Sequence, residues 1–367
     1  MNIARSVMTL LLVSLAPAAN AQPQVADQVR LRPQWQALDA NKDGKVTLAE
    51  VPPMLAASLQ KSDADKDGVI TLDEYVAFDL DPVGAGRVPL GTNVRLIEDI
   101  AYAGTGDPRQ RVDIYLPKKA TVRGPLPVIA YIHGGGWAVG SKIMARPSVM
   151  DLVNSGRYAA VSIGYRLSWQ DKWPAQIYDV KAATRWIRAN AKQYGFDPKR
   201  ICAMGDSAGG HLAAQLGVTS GEASAEGSIG DNLGRSSKVQ CVVDMFGPSD
   251  LTHFGLPGIL TTLLGGTVAE KGDVARDASP ISHVDASDPP FLIIQGTKDP
   301  LVNYQQSVSL DAALRKAGVP VFFQTVEGGG HGDFGSASPE IAKRIRAFLE
   351  HNFYDPAVPV PTDVLHK

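Results

Sequence analysis

Ser207 lies in the run Arg200-Ile201-Cys202-Ala203-Met204-Gly205-Asp206-Ser207-Ala208-Gly209-Gly210-His211, set between two glycines. Apolar residues 201–204 read as a strand, and the small residues 208–216 as a helix. A strand-turn-helix of this kind strains the backbone at the serine, so glycines must flank it to avoid side-chain collisions. The hydroxyl then stands exposed above a sheet as a nucleophile, and the N–H of Ala208 points at the same spot. Upstream, His133-Gly134-Gly135-Gly136-Trp137 follows the strand-like run 128–132. Consecutive glycines let backbone N–H groups approach a developing oxyanion, which makes Gly135, Gly136 and Ala208 the candidate donors.

A serine nucleophile needs a base, and the base needs an orienting acid. The strand-like run 321–326 exits into Glu327-Gly328-Gly329-Gly330-His331-Gly332, and the run 291–295 exits into Gly296-Thr297-Lys298-Asp299. His331 is therefore the candidate base and Asp299 its acid, in the chain order Ser, Asp, His. Asp250, after the strand-like run 239–246, is a competing acid. Of the other histidines, His351 falls near the end of the last helix and His366 in the tail. His211, on the helix leaving the serine, reads as a packed core residue. Trp137 directly follows the glycines, where it would either wall an acyl or sugar pocket or pack under the loop. Trp169 and Trp173 pose the same choice, and Asp206 is expected to bond local backbone.

A second chemistry precedes this one. Asp39-Ala40-Asn41-Lys42-Asp43-Gly44-Lys45-Val46-Thr47-Leu48-Ala49-Glu50 has the ligand spacing of a twelve-residue calcium loop, and Asp63-Ala64-Asp65-Lys66-Asp67-Gly68-Val69-Ile70-Thr71-Leu72-Asp73-Glu74 repeats it. Calcium takes hard oxygens from positions one, three and five (Asp39, Asn41, Asp43; Asp63, Asp65, Asp67). A carbonyl follows at seven (Lys45, Val69), a water held by nine (Thr47, Thr71) and a bidentate glutamate at twelve (Glu50, Glu74). Val46 and Ile70, at position eight, are expected to pair as an antiparallel link. The loops begin 24 residues apart and Pro52-Pro53 follows the first, which suits a compact structural calcium module better than a switch. Two glutamates at position twelve separate it from dockerin modules.

The elements that must position these groups follow from periodicity. Strand-like runs at 95–101, 112–116, 128–132, 159–165, 201–204, 239–246, 291–295 and 321–326 give eight strands. Helical patterns at 174–191, 303–316 and 339–352 intervene or follow, so the expectation is a doubly wound, mostly parallel α/β sheet. Residues 1–21 have a short basic start, an apolar run and Ala19-Asn20-Ala21, the pattern of an export signal cut before Gln22. Residues 22–80 would form a small all-α calcium module, 81–89 a linker, 90–352 the catalytic domain and 353–367 an irregular tail. Residues 253–274 are the one sizeable insertion, enough for a small lid and too short for a large cap. The 367 residues carry a net charge of −2, which leaves no basic footprint for nucleic acid, and no membrane-spanning run follows the leader. The two cysteines, Cys202 and Cys241, both sit in apolar strand contexts, as buried free thiols do.

Several stretches resemble serine esterases of the α/β-hydrolase fold, near the hormone-sensitive-lipase-like group and bacterial acetyl and feruloyl esterases. These are residues 133–141, Tyr165-Arg166-Leu167-Ser168, residues 173–183, Gly205-Asp206-Ser207-Ala208-Gly209-Gly210 and Gly296-Thr297-Lys298-Asp299-Pro300-Leu301-Val302. The resemblance spans roughly residues 90–350. Asn303 stands where lipase-like relatives tend to carry another aspartate, which favours the cell-wall and peptidase-like branches. It implies an exported ester hydrolase acting on an acetylated or feruloylated polysaccharide such as xylan, with no cofactor in catalysis. A broad short-chain carboxylesterase, or a calcium-dependent docking protein with ancillary hydrolase activity, remains the alternative. The protein partner of the calcium module is not identified.

Overall fold

The structure is a computed structural model, and it describes residues 35–36, 38–39, 41–50, 60, 62–80, 88–333 and 338–367. The expected leader (1–21) and linker residues 81–87 lie outside the described residues. The chain divides near residue 77 into two compact units.

In the first unit, β1 (Val46–Thr47) pairs antiparallel with β2 (Val69–Ile70) in the register Val46↔Ile70, and helix α1 (Leu72–Leu80) follows. This is the expected link between two loops, with both position-eight side chains buried.

The second unit is built on β3 (Val94–Ala101), β4 (Arg111–Pro117), β5 (Leu126–Ile132), β6 (Ala159–Ile163), β7 (Phe196–Asp206), β8 (Cys241–Met245), β9 (Phe291–Gly296), β10 (Val321–Glu327) and β11 (Leu365–His366). Their spatial order is β11-β10-β9-β8-β7-β5-β6-β4-β3. Pairing is parallel from β11 through β6 and antiparallel at β6–β4 and β4–β3. All eight expected strands are present, and β11 is an addition. The tail, expected to be irregular, returns to the sheet edge. Gln324 Nε2 donates to the Asp363 carbonyl, and the Lys367 N–H donates to the Glu327 carbonyl.

Alternation on β5 explains the layering. Val128, Ala130 and Ile132 face one core, while Ile129 and Tyr131 face the other. Helices α3 (Ala175–Ala189), α4 (Ala208–Val218) and α7 (Tyr304–Ala317) cover the first face, and α2 (Arg146–Asn154) and α8 (Pro339–Phe353) the second. Strands buried on both faces are apolar throughout, as parallel strands under helices must be. The insertion after β8 forms two short helices, α5 (Pro257–Leu264) and α6 (Gly272–Asp277). Cys202 and Cys241 pair in register on β7 and β8 as buried free thiols, and burial pushes the Cys241 thiol up. Among the described residues no helix is long and apolar enough to cross a membrane.

Candidate active site

β5 and β7 are neighbours with Ile132 opposite Gly205, so the glycine loop and the serine turn leave the same end of adjacent strands. Ser207 has φ 53° and ψ −120°, a conformation that L-residues reach only under strain. Two contacts hold it there. Its N–H donates to the Met245 carbonyl at 2.9 Å, and its carbonyl accepts from the His211 N–H at 3.0 Å, the first bond of α4. The flanking glycines are required sterically. A Cβ on Gly205 would lie 2.3 Å from the Gly209 carbonyl oxygen, and one on Gly209 would lie 2.1 Å from that of Ile132.

Ser207 Oγ lies 2.9 Å from His331 Nε2, and His331 Nδ1 lies 2.8 Å from Asp299 Oδ2. With Nδ1–H donated to the carboxylate, Nε2 is the acceptor that faces the hydroxyl. Asp299 also accepts from the N–H groups of Leu301 and Val302 and from Gln295 Nε2. Burial alone would push its carboxyl up, but the His331 hydrogen bond and charge, with these N–H groups, hold it below the usual range. Asp250 does not join this chain. It accepts from Thr252 N–H and Oγ1 and lies 2.9 Å from His253 Nδ1.

The candidate donors sit where the two loops meet. Ala208 is the first residue of α4, so its N–H has no intrahelical acceptor and lies at the positive end of the helix dipole. Gly135 (φ +108°) and Gly136 (φ +59°) form a tight turn, in which the Gly135 carbonyl accepts from the N–H groups of Ala138 and Val139. A Cβ on Gly135 would fall 2.1 Å from the Val139 carbonyl oxygen. Ile259 of α5 approaches the Gly136 side of this turn.

Trp137 corrects the expectation that it lines a substrate pocket. It is 1 % exposed, its Nε1 donates to His211 Nδ1, and its ring meets His211 and Phe254 edge-on. The ring packs beneath the glycine loop and supports it from within. His211 Nε2 faces the Ala278 carbonyl at 2.7 Å, and burial lowers its pKa to about 4, so it is a neutral core imidazole. His133 is likewise buried, stacked on Tyr165, with its pKa lowered by burial to about 3. Trp173 is buried and donates to Asp277, while the partly exposed Trp169 donates to the Ala138 carbonyl.

Four supporting residues carry no motif. Gln295 donates to Asp299 while its own amide oxygen accepts from Ser307 Oγ. Phe246, another strained residue (φ +45°), meets the His331 ring edge-on at 4.9 Å. Asp244 holds the turn after Phe246 by accepting from the Gly247 N–H. Burial pushes the Asp244 carboxyl up to about 7, and its Oδ2 finds no partner among the described residues. Tyr131 donates to Asp206 Oδ1 at 2.5 Å. Burial pushes the Asp206 carboxyl up, against the pull of that hydroxyl and of nearby His331. Asp206 thus bonds a side chain on β5 as well as backbone.

The two loops of the first unit share one hydrogen-bond pattern. Asp39 accepts from the N–H groups of Asp43 and Gly44, and Asp63 from those of Asp67 and Gly68. Glu50 closes onto Thr47, and Glu74 onto Thr71 and the Ala64 N–H. The Asp63, Asp65 and Asp67 carboxylates converge to within 4.8 Å of one another. A hard divalent cation fits this donor set.

The family model described as BD-FAE matches residues 112–314, more than half of the chain. The chain belongs to this family, among the α/β-hydrolase esterases. A TAP-like protein model matches residues 270–361, and an EF-hand model matches residues 36–51 and 55–79. Esterase LipC of Mycobacterium tuberculosis is 32 % identical over 234 residues, covering 62 % of this chain and 57 % of LipC. The chain thus spans little more than half the length of such curated relatives. Among solved structures, a truncated carbohydrate esterase from gut microbiota is 34 % identical with a TM-score of 0.67, over 72 % of this chain and 99 % of that one. An acetyl ester-xyloside bifunctional hydrolase from Caldicellulosiruptor lactoaceticus is 25 % identical with a TM-score of 0.58, over 72 % and 96 %.

Proposed function

We propose that the chain is an exported serine carboxylic ester hydrolase that removes acetyl or feruloyl groups from a xylan-type polysaccharide through an acyl-enzyme. The observation that carries this reading is the hydrogen-bonded series Ser207–His331–Asp299. Ser207 Oγ attacks the ester carbonyl as His331 Nε2 takes its proton. The oxyanion is bound by N–H groups of Ala208, Gly135 and Gly136, a donor set in which each member contributes about 10²–10³ in rate. His331 then protonates the leaving alcohol, and the same nitrogen activates the water that frees the acid. Asp299 stays ionised throughout and holds the imidazole in the required tautomer. The carbohydrate esterase and acetyl ester-xyloside hydrolase among the relatives support the polysaccharide side of the reading.

Acyl-chain length tests it. Helices of eight and six residues make a small insertion, so a long acyl chain is expected to find little apolar surface in which to bury its methylenes. Turnover of p-nitrophenyl esters is expected to peak between acetyl and butyryl, alongside release of acetate or ferulate from xylan. Faster hydrolysis of twelve-carbon than of acetyl esters would replace this reading with a lipase.

We further propose that both loops of the first unit bind calcium as a structural ion. Asp39, Asn41, Asp43, Thr47 and Glu50, with the Lys45 carbonyl, would hold one ion. Asp63, Asp65, Asp67, Thr71 and Glu74, with the Val69 carbonyl, would hold the other. Bound calcium would supply charge neutralisation that fixes each loop. The second loop offers four carboxylates against three, so it is expected to bind more tightly. Chelation is expected to lower the melting temperature of this unit by mass action and leave turnover of p-nitrophenyl acetate unchanged. Calorimetry with and without chelator, read beside turnover, checks both; loss of turnover with the second unit still folded would contradict a structural role.

A further inference from the structure

Asp250 was the competing candidate for the triad acid, and its actual partner suggests another use. It lies 2.9 Å from His253 Nδ1, on an imidazole whose side chain is 82 % exposed. The turn that carries the pair is fixed from below. Buried Gln306 accepts from the N–H groups of Ser249 and Asp250, and its Nε2 donates to the Asp250 and His253 carbonyls. An Nδ1–H shared by the carboxylate and Thr252 Oγ1, 2.8 Å away, leaves Nε2 as an acceptor with a set orientation.

His253 lines a groove of about 180 Å³. One wall is the acid loop, with Asp299 and Leu301; the other is the segment with His253 and Phe254; Asn303 and Gln306 complete it. The groove shares Asp299 with the triad. Asp299 binds His331, and Phe254 meets Trp137 edge-on at 6.3 Å, directly after the glycine turn. Drug-sized ligands fill roughly 300–1,000 Å³, so this groove is scaled to a single ring. Its chemistry alternates apolar surface (Phe254, Leu301) with fixed hydrogen-bonding groups (His253, Asn303), as a sugar ring presents C–H faces between hydroxyls.

We infer that this groove is a saccharide subsite, in which the Asp250-held His253 accepts a hydrogen bond from a hydroxyl of a sugar unit of the polysaccharide. This inference rests on the polysaccharide reading above. The positioning partner is Asp250, acting through the imidazole; His253 is the specificity-determining contact.

The test compares acetylated xylotriose with p-nitrophenyl acetate as substrates, and uses unacylated xylotriose as a competitive inhibitor. His253→Ala is expected to raise KM for acetylated xylotriose about three- to tenfold, the size of one neutral hydrogen bond, with kcat little changed. Inhibition by xylotriose should weaken by the same factor. Asp250→Ala should reproduce part of the effect, since Thr252 Oγ1 still lies 2.8 Å from Nδ1, and Asp250→Asn should reproduce it too: its oxygen stays on the Thr252 N–H, so the amide donates toward Nδ1 and turns Nε2 into a donor. Thermal melting confirms that each variant is folded. If the wild type hydrolyses p-nitrophenyl acetate but not acetylated xylotriose, the polysaccharide reading fails and this inference with it. If the wild type hydrolyses both, and His253→Ala leaves KM and xylotriose inhibition unaltered, the inference alone is overturned. A changed ratio of feruloyl to acetyl aryl esters with unaltered xylotriose inhibition would assign the groove to the acyl group and overturn it as well.

Discussion

Ser207→Ala and His331→Ala are each expected to lower kcat/KM on p-nitrophenyl acetate by roughly 10⁴–10⁶ while the fold survives. Removing either end of the Oγ···Nε2 contact leaves no route for the proton, and what remains is catalysis by the backbone donors and binding alone. The double variant should be scarcely worse than either single one, because the residues act as a unit. The acid is the more discriminating position. Asp299→Asn keeps the shape but lets the amide donate toward Nδ1, turning Nε2 into a donor that cannot take the serine proton, at a cost of about 10⁴ in kcat. Asp250→Asn touches only Thr252 and His253, so turnover of the same small ester should fall far less. Steady-state kinetics with circular dichroism on each variant checks the set. A steeper fall for Asp250→Asn than for Asp299→Asn would overturn the assignment of the acid.

Gly209→Ala is expected to have a large effect on folding. Its Cβ would lie 2.1 Å from the Ile132 carbonyl oxygen and 2.7 Å from that of His133. Both obstacles are backbone, one at the end of a central strand, so no side chain can swing away. The helix must back off from β5, which moves Ala208 and Ser207 with it. The cost should reach about 3 kcal/mol or more, at the upper end of overpacking in a dense core. Gly234 supplies the control, since a Cβ there meets nothing within 4 Å, and Gly234→Ala should stay within about 0.5 kcal/mol of wild type. Denaturant unfolding of the two variants measures the difference, and equal stabilities would contradict the packing argument.

The sequence carried the strands and the reactive groups for one reason: each is announced by short-range pattern. Strands buried on both faces must be continuous apolar runs, and the strained serine turn demands glycines at fixed offsets. The supporting residues have no such signal. Phe246 reaches His331 across 85 positions, and Gln295 reaches Ser307 across twelve; their types are compatible with many other surroundings. Trp137 was open to two readings because a tryptophan after a glycine loop suits a wall or a wedge equally, and only its burial and its bond to His211 decide. The strand β11 has two residues, too few for any periodicity, and is held by tail contacts to Gln324 and Glu327. Asp250 and Asp299 both follow strand ends, and only the position of His331 separates them.

The central claim is that Ser207 forms a covalent intermediate with the acyl group. A p-nitrophenyl alkylphosphonate tests it, because attack by the nucleophile expels one equivalent of p-nitrophenolate and leaves a stable phosphonyl ester. Intact-mass measurement followed by peptide mapping should find one adduct per chain, on Ser207, with labelling greatly slowed in His331→Ala and turnover abolished in step with adduct formation. Full esterase turnover with no adduct at Ser207, or with the label on another residue, would contradict the account.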